Sequence, residues 1–293
     1  MKPPRIAVVA SVSAVVGATL AIAVTAAFAG DRKPSTPMQG KRDARPILAD
    51  VNFVSSCRFS HRRPDDPIIA PGQPGASHDH TFVGNRTTSA FSTVETLLAG
   101  ATSCRRAGDT AAYWVPTLYA NGHAIAPLSA TIYYRRSTLD HVQPFPSGLK
   151  MIAGDAHAAS MAQDLRVVFW SCGVAAGVPP SATPPTCPAV PGSGLRLHVR
   201  FPSCWDGANL DSPDHKSHMA YPMRRVCPAS HPVSVPAITL IYHYPILDGS
   251  SVALSSGGQL SGHADFLNAW NQAELTRLVD SCLNALRHCG RGE

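Results

Sequence analysis

The sequence predicts a mainly β protein with long ordered loops and one C-terminal helix, stapled by disulfides. Three observations lead there. Short apolar runs alternate with stretches dense in Pro, Gly, Ser and Asn, and the 293 residues include 26 prolines and 22 glycines, the texture of strands punctuated by turns. All eight cysteines lie downstream of an apolar leader, and an even number in an exported chain argues for disulfides. One stretch near the C-terminus has sustained helical spacing. The expected architecture is β-sandwich-like, with α+β as the alternative.

The first element is the leader. Lys2 and Arg5 precede the uncharged, Ala/Val/Ile/Leu-rich stretch from Ile6 to Ala26, and small residues close it at Ala27-Phe28-Ala29. This pattern predicts a signal peptide over 1–29, cleaved after Ala29. The run is also about the ~20 residues that a membrane span needs, so an uncleaved anchor is the competing reading. Residues 30–46 are polar, with Lys33, Pro34, Pro37, Lys41 and Arg42, and read as a disordered spacer. The remaining 47–293 show no repeat or linker and are expected to form a single secreted domain. The alternative is the same domain anchored by its N-terminus and facing outside.

Within that domain the expected strands are Val51–Val54, Ala112–Tyr119, Ala130–Arg135, Leu165–Ser171, Leu195–Phe201, Ala237–Tyr244 and Val252–Leu254. Several alternate in polarity or are rich in Val, Ile, Tyr and Trp, as half-buried strands are. A short helix is expected from Ser92 to Ala99, capped by Ser92 or Thr93. Val178–Val190 carries too many prolines for helix or central strand and must be an extended loop. The main helix is expected from Phe266 to Ala285, where Phe266, Trp270, Ala273, Leu275, Leu278, Val279, Cys282 and Leu283 share one face. Ser261 or Asp265 would cap it.

Eight cysteines allow 105 connectivities. Loop length and position favour neighbours: Cys57–Cys104, Cys172–Cys187, Cys204–Cys227 and Cys282–Cys289. No C-x-x-C pair supports a zinc ribbon. The formal charge of +6 includes a basic leader and tail. No Lys/Arg stripe with interleaved aromatics points to nucleic acid, although a weak attraction to acidic polymers is compatible with the charge. G-x-S-x-G, H-E-x-x-H, P-loop and dinucleotide fingerprints are absent, which argues against the common hydrolase, zincin and nucleotide classes.

Four histidine-bearing segments carry the candidate chemistry. In Ser77-His78-Asp79-His80, an extended backbone puts both imidazoles on one side of the chain, where they could hold a divalent metal. The stretch from Trp205 to Met219 concentrates Asp206, Asp211, Asp214, His215, Lys216 and His218 after Cys204. Its spacing does not match an EF-hand, but it offers general bases, acids or ligands. His231 and His263 sit in two further Pro- or Gly-flanked loops. The competing reading is that these histidines satisfy irregular loop backbone. Arg62-Arg63-Pro64-Asp65-Asp66 reads as a surface ion-pair loop. Asn85-Arg86-Thr87 matches a glycosylation acceptor. Trp114, Trp205, Tyr113, Tyr133 and Tyr134 could stack on sugars or fill the core.

The strings VNFVSSCRFSHRRPDDPI, PGQPGASHDHTFVGN, DTAAYWVPTLY, FPSCWDG, LDSPDHKSHMAYP, CPASHPV and SGHADFLNAW resemble a secreted bacterial and fungal family, the domain of unknown function numbered nineteen ninety-six. The resemblance runs from about Asp50 to Cys289. It implies one exported domain and names no reaction. Fungal members resemble one another in being fused to modules associated with cell-wall sugars, which points to glycans by association only.

The expected function is therefore a secreted protein that acts on or binds cell-wall or extracellular polysaccharide through a His/Asp-rich rim. His78, His80, Asp214, His215 and His218 are the candidate catalytic residues, with His78 and His80 as metal ligands. Trp205, Lys216, Tyr221, His231 and His263 are the candidate substrate contacts, with Tyr221 or Lys216 as acid or charge stabiliser. A glycan hydrolase or lyase, metal-assisted through His78 and His80, is one class. A non-catalytic glycan-binding or wall-associated module is the other. Nucleic acid is not an expected partner, and membrane contact is expected only through an uncleaved leader.

Overall fold

Two sheets face each other, and their alternating side chains explain both cores. The computed structural model describes residues 48, 50–175 and 177–291. The signal-peptide and spacer expectations fall outside the described residues. No helix among the described residues is long and apolar enough to cross a membrane.

The larger sheet contains β1 (Asn52–Cys57), β7 (Ser129–Arg135), β9 (Val168–Gly173), β10 (Ser193–Arg200), β14 (Ala237–His243) and β17 (His288–Gly290), in the order β17-β1-β7-β14-β10-β9. Its pairs are antiparallel except β1 with β17. The smaller sheet contains β2 (Phe59–Arg63), β3 (His80–Gly84), β4 (Ala112–Pro116), β8 (Lys150–Gly154) and β16 (His263–Leu267), in the order β2-β3-β4-β16-β8. Two short three-stranded sheets complete the strands. One joins β5 (Leu118–Ala120), β6 (His123–Ile125) and β15 (Val252–Leu254); the other joins β11 (Cys204–Trp205), β12 (Met219–Ala220) and β13 (Val233–Ser234).

Strand β10 shows the rule that builds the sandwich. Leu195, Leu197 and Val199 are buried, whereas Arg196, His198 and Arg200 stay accessible on the other face, the period-two pattern of a half-buried strand. Ile238, Leu240 and Tyr242 of β14 point inward in the same way. They meet Tyr113, Val115, Phe266 and Met151 of the smaller sheet in one continuous apolar core. A buried polar network crosses this core. Ser55 and Tyr113 both donate to Asp109, at 2.5 and 2.9 Å. Trp270 donates to Tyr134 at 2.8 Å, and the Tyr113 and Tyr134 hydroxyls share a further hydrogen bond.

The outer face of the smaller sheet is also buried. Phe82, Ala112, Trp114 and Leu267 project there and pack with Ile68 and Leu97 in a second apolar cluster. Leu97 comes from α1 (Val94–Leu98), which is capped by Thr93, in accord with the expected short helix. The loop from Asp65 to Asp79, which carries Ile68, supplies more of the cover. The Arg62–Asp66 expectation of a solvated ion-pair loop is therefore corrected: Asp65 and Asp66 are buried. Asp66 accepts from the Ile68 and Ile69 amides, and Asp65 accepts from Gly75 and Ala90. Their carboxylates hold the cover loop's backbone.

The expected strands are present with shifted ends, and the Ala112–Tyr119 run is divided by Thr117 into β4 and β5. The main helix needs correction. Phe266 and Leu267 lie in β16, fully inside the sandwich between β4 and β8. The helix α2 (Gln272–Leu278) begins only after Asn271, whose side chain accepts from the Glu274 amide. It continues as a π-helical turn over Val279–Asn284. Neither Ser261 nor Asp265 is its cap, because both belong to the strand region. Leu275, Leu278, Val279, Cys282 and Leu283 form its buried stripe.

All four disulfides join the neighbours expected: Cys57–Cys104, Cys172–Cys187, Cys204–Cys227 and Cys282–Cys289. The Pro-rich loop is extended and closed by the second of these. The glycosylation expectation at Asn85 meets a closed door. Asn85 is fully buried, and its amide donates to the Leu97 and Thr110 carbonyls.

Candidate metal centre

Strand β3 begins at His80, and the rings of His78 and His80 project together. Strand β16 lies two strands away, beyond β4. It places His263 and Asp265 on that same outer face, with Asp265 in register with Trp114 and Trp114 in register with Phe82. The result is a cluster of three imidazoles: ring centroids lie 4.2 Å apart for His78 and His80, 5.0 Å for His78 and His263, and 5.9 Å for His80 and His263. One nitrogen of each falls within 4.8 Å of the others. Asp66, His80 and Asp265 form a second, overlapping set.

The outward nitrogens are fixed by what the other nitrogens do. His80 Nδ1 donates to the Asp65 carbonyl at 3.0 Å, and His263 Nδ1 donates to the Ser261 carbonyl at 2.9 Å. Each ring therefore turns a lone pair on Nε2 toward the cluster. Metal-bound histidines are oriented in this way, by donation of the second ring N–H to a carbonyl or carboxylate. His78 Nε2 lies 3.2 Å from His263 Nε2. Two nitrogens bound at 2.0–2.1 Å to one tetrahedral ion stand about 3.3 Å apart. His80 Nε2 and Asp265 Oδ2 are buried without a hydrogen-bond partner, and Asp265 Oδ2 lies 4.0 Å from His263 Nε2.

The electrostatics follow from burial. Desolvation lowers the basicity of all three imidazoles, taking His263 down to about 4, and neighbouring rings lower His80 and His263 further. Burial raises the carboxyl groups of Asp66 and Asp265, and their proximity raises Asp265 further. Gly154 lets the neighbouring strand approach: at φ +87°, a Cβ there would sit 2.9 Å from the His263 Cα and 2.6 Å from the Gly262 carbonyl.

The other candidates are placed as follows. Asp214 accepts from the Lys216 and Ser217 amides and from the Ser212 and Ser217 hydroxyls, which hold its carboxyl well below the usual range. It braces its own loop. His218 engages Ser212 and the Lys150 carbonyl, and His231 engages Ser230 and the Ser217 carbonyl, so both rings of these residues are fully occupied. His215, at φ 56°, pairs with Asp211 at 2.8 Å. Trp205 donates to the Asn209 carbonyl. Tyr221 donates to the Arg200 carbonyl, and burial raises its phenol. Lys216 alone of this group reaches toward the cluster, donating to the Gly154 carbonyl at 2.8 Å. Thus His78, His80 and His263 come together, joined by Asp66 and Asp265, while the Asp214–His218 loop is engaged mainly with itself. Asp265, expected only as a helix cap, is a member of the cluster instead. Its alternation with His263, at positions i and i+2 of S-G-H-A-D, was the available signal.

These features define a disulfide-braced β-sandwich with a buried His/Asp cluster on the outer face of its smaller sheet. The chain belongs to the family described as a domain of unknown function, DUF1996, whose model matches residues 66–270. That span contains every residue of the cluster. Comparison with curated proteins and with solved structures gave no match.

Proposed function

We propose that this is a secreted metalloprotein that acts on cell-wall or extracellular polysaccharide, with His78, His80 and His263 holding a divalent transition metal beside Asp265. The observation that carries the reading is the pair of buried, partnerless atoms, His80 Nε2 and Asp265 Oδ2, beside two imidazole nitrogens at ligand-edge spacing. Imidazole-rich donor sets suit zinc, copper, iron or nickel rather than calcium or magnesium. The apolar leader and four disulfides support export, since disulfides persist in oxidising compartments.

A polymer suits the surface beside the cluster. A cleft of about 300 Å³ is lined by Gly154, Asp155 and Lys216, and it shares Asp164, Val167 and Tyr221 with a groove of about 880 Å³. Two adjoining open depressions differ from the enclosed pocket of a small ligand. A bound divalent ion would polarise an oxygen or activate water for hydrolysis. His78, the half-buried member, is the one that meets solvent, and Lys216 stands at the rim.

The burial of His80 and His263 favours a second reading. A site closed on most sides resembles structural metal centres, and the domain would then be a glycan-binding or wall-associated module. Metal analysis of the wild type and of the His78→Ala and His263→Ala variants, beside release of reducing ends from wall polysaccharide, tests both. One metal per chain, lost in both variants together with polymer turnover, supports the enzyme. Metal and polymer binding without turnover supports the module. A wild type that takes up no zinc, copper, iron or nickel overturns the metal centre.

A further inference from the structure

The outer face of the larger sheet carries a different chemistry. Along β10, Arg196, His198 and Arg200 share that face, so the two guanidinium-bearing residues are spaced about 13 Å along the strand. Aromatic rings lie beneath two of the cations: Arg200 is 4.8 Å from the Phe169 ring centroid, and Arg135 of β7 is 4.4 Å from that of Tyr133. His198 stacks on Phe169 at 4.2 Å. Arg196 extends over Gly173, where any Cβ would collide with its guanidinium.

Two depressions cover this face. One is the groove of about 880 Å³ that contains Arg135, Arg166 and Arg200. The other, of about 750 Å³, contains Arg58, Arg86, Arg105 and Arg196. Among the described residues, Asp164 is the carboxylate that lines either, and Arg166 clasps it at 2.5 Å. Bringing several arginines together on partly desolvated ground costs free energy through like-charge repulsion. Burial and the Arg135 charge indeed lower the Arg200 guanidinium. An anionic ligand would offset that cost. The guanidinium's fixed fork matches planar carboxylates, two N–H donors to two oxygens.

We infer that this arginine-lined face binds a uronic-acid polysaccharide, its sugar carboxylates bridged by Arg196 and Arg200, and that the groove leads the chain toward the cleft at Lys216. The inference rests on the polysaccharide reading above and adds the charge of the polymer. The occupant is chosen by charge complementarity and by the shared Asp164, Val167 and Tyr221 edge that joins groove to cleft.

The test is binding of the full chain to immobilised polygalacturonate, to a phosphate-bearing teichoic-type polymer and to neutral dextran, at low and high salt. Wild type should bind polygalacturonate most tightly and lose affinity at least tenfold on raising salt. The double variant Arg196→Glu/Arg200→Glu should lose at least tenfold at low salt, while its thermal midpoint and metal content stay at wild-type values. Unchanged binding by that folded variant overturns the inference. Tighter binding to the phosphate polymer overturns the carboxylate assignment, and preference for dextran overturns the charge assignment while leaving the polysaccharide reading intact. Binding to none of the three polymers sinks both. If the double variant fails to fold, Arg196→Gln and Arg200→Gln tested singly replace it, each expected to weaken binding severalfold; no effect from either overturns the inference.

Discussion

The Tyr242 hydroxyl, on the inner face of β14, reaches across the sandwich to the carbonyl of Thr81 on β3 at 3.1 Å, with the Tyr113 carbonyl a second acceptor at 3.3 Å. Thr81 follows His80, so this phenol ties the larger sheet to the strand that presents the cluster. Tyr242→Phe keeps the ring and removes the tie. Stability should fall by about 1 kcal/mol, the usual net worth of such a hydrogen bond, measured by urea unfolding. No loss would mean that β3 is held by its ladder alone.

A metal bound only by the folded chain must stabilise it. With zinc at 100 times its dissociation constant, unfolding should cost about 2.7 kcal/mol more than in chelator, read as a rise in thermal midpoint. His263→Ala should abolish that rise, whereas His231→Ala, whose ring serves Ser230 and Ser217, should keep it. An equal rise in His263→Ala would place the ion elsewhere.

Asp109 sets a pH dependence independent of the cluster. Burial pushes its carboxyl up to about 7, against the pull of hydrogen bonds from Ser55 and Tyr113. Between the unfolded value near 4 and about 7, the folded state keeps a proton that the unfolded chain has lost. Stability from this group is thus full below about 4, falls as pH rises through the window by up to about 1.4 kcal/mol per unit, and levels off above 7. Asp109→Asn removes the titration. Wild type should lose stability relative to this variant from pH 4.5 to 7, and parallel thermal-midpoint curves would refute the assignment.

Asn85 should stay unmodified. Its side-chain amide is spent on the Leu97 and Thr110 carbonyls, and its Oδ1 accepts from Thr87. Secreted from a glycosylating host, the folded protein should show no added mass at this site. Asn85→Ala should cost about 1–3 kcal/mol, as orphaned buried partners do. A glycan at Asn85 would show that transfer outruns folding.

Strands with one wet face were legible in the sequence. Leu195 to Arg200 declares its two faces because one is apolar and the other carries Arg and His. Strands β3 and β16 were not, since both of their faces are buried and the outer one is partly polar. His263 and Asp265 read as a helix entrance because Phe266 and Trp270 fall at helical spacing with Ala273, although the apolar pair belongs to the sandwich core. Asp65 and Asp66, beside two arginines, read as solvated; only the fold reveals that they cap loop amides. The His78–His80 pair was visible by spacing, but its convergence with His263, 185 residues away, is a product of sheet order.

Strand β17 runs parallel to β1, with His288 opposite Asn52 and Gly290 opposite Phe53. The first and last strands of the described fold therefore stand side by side, about one strand spacing, ~4.8 Å, apart where Phe53 faces Gly290. Such a body can be spliced into a surface loop of a host protein with little disturbance of either partner, and joining its ends by a short peptide while cutting a distant loop should preserve the fold. Tension drawn between those neighbouring ends would open the β1–β17 seam first, with the rest of the sandwich sheltered behind it.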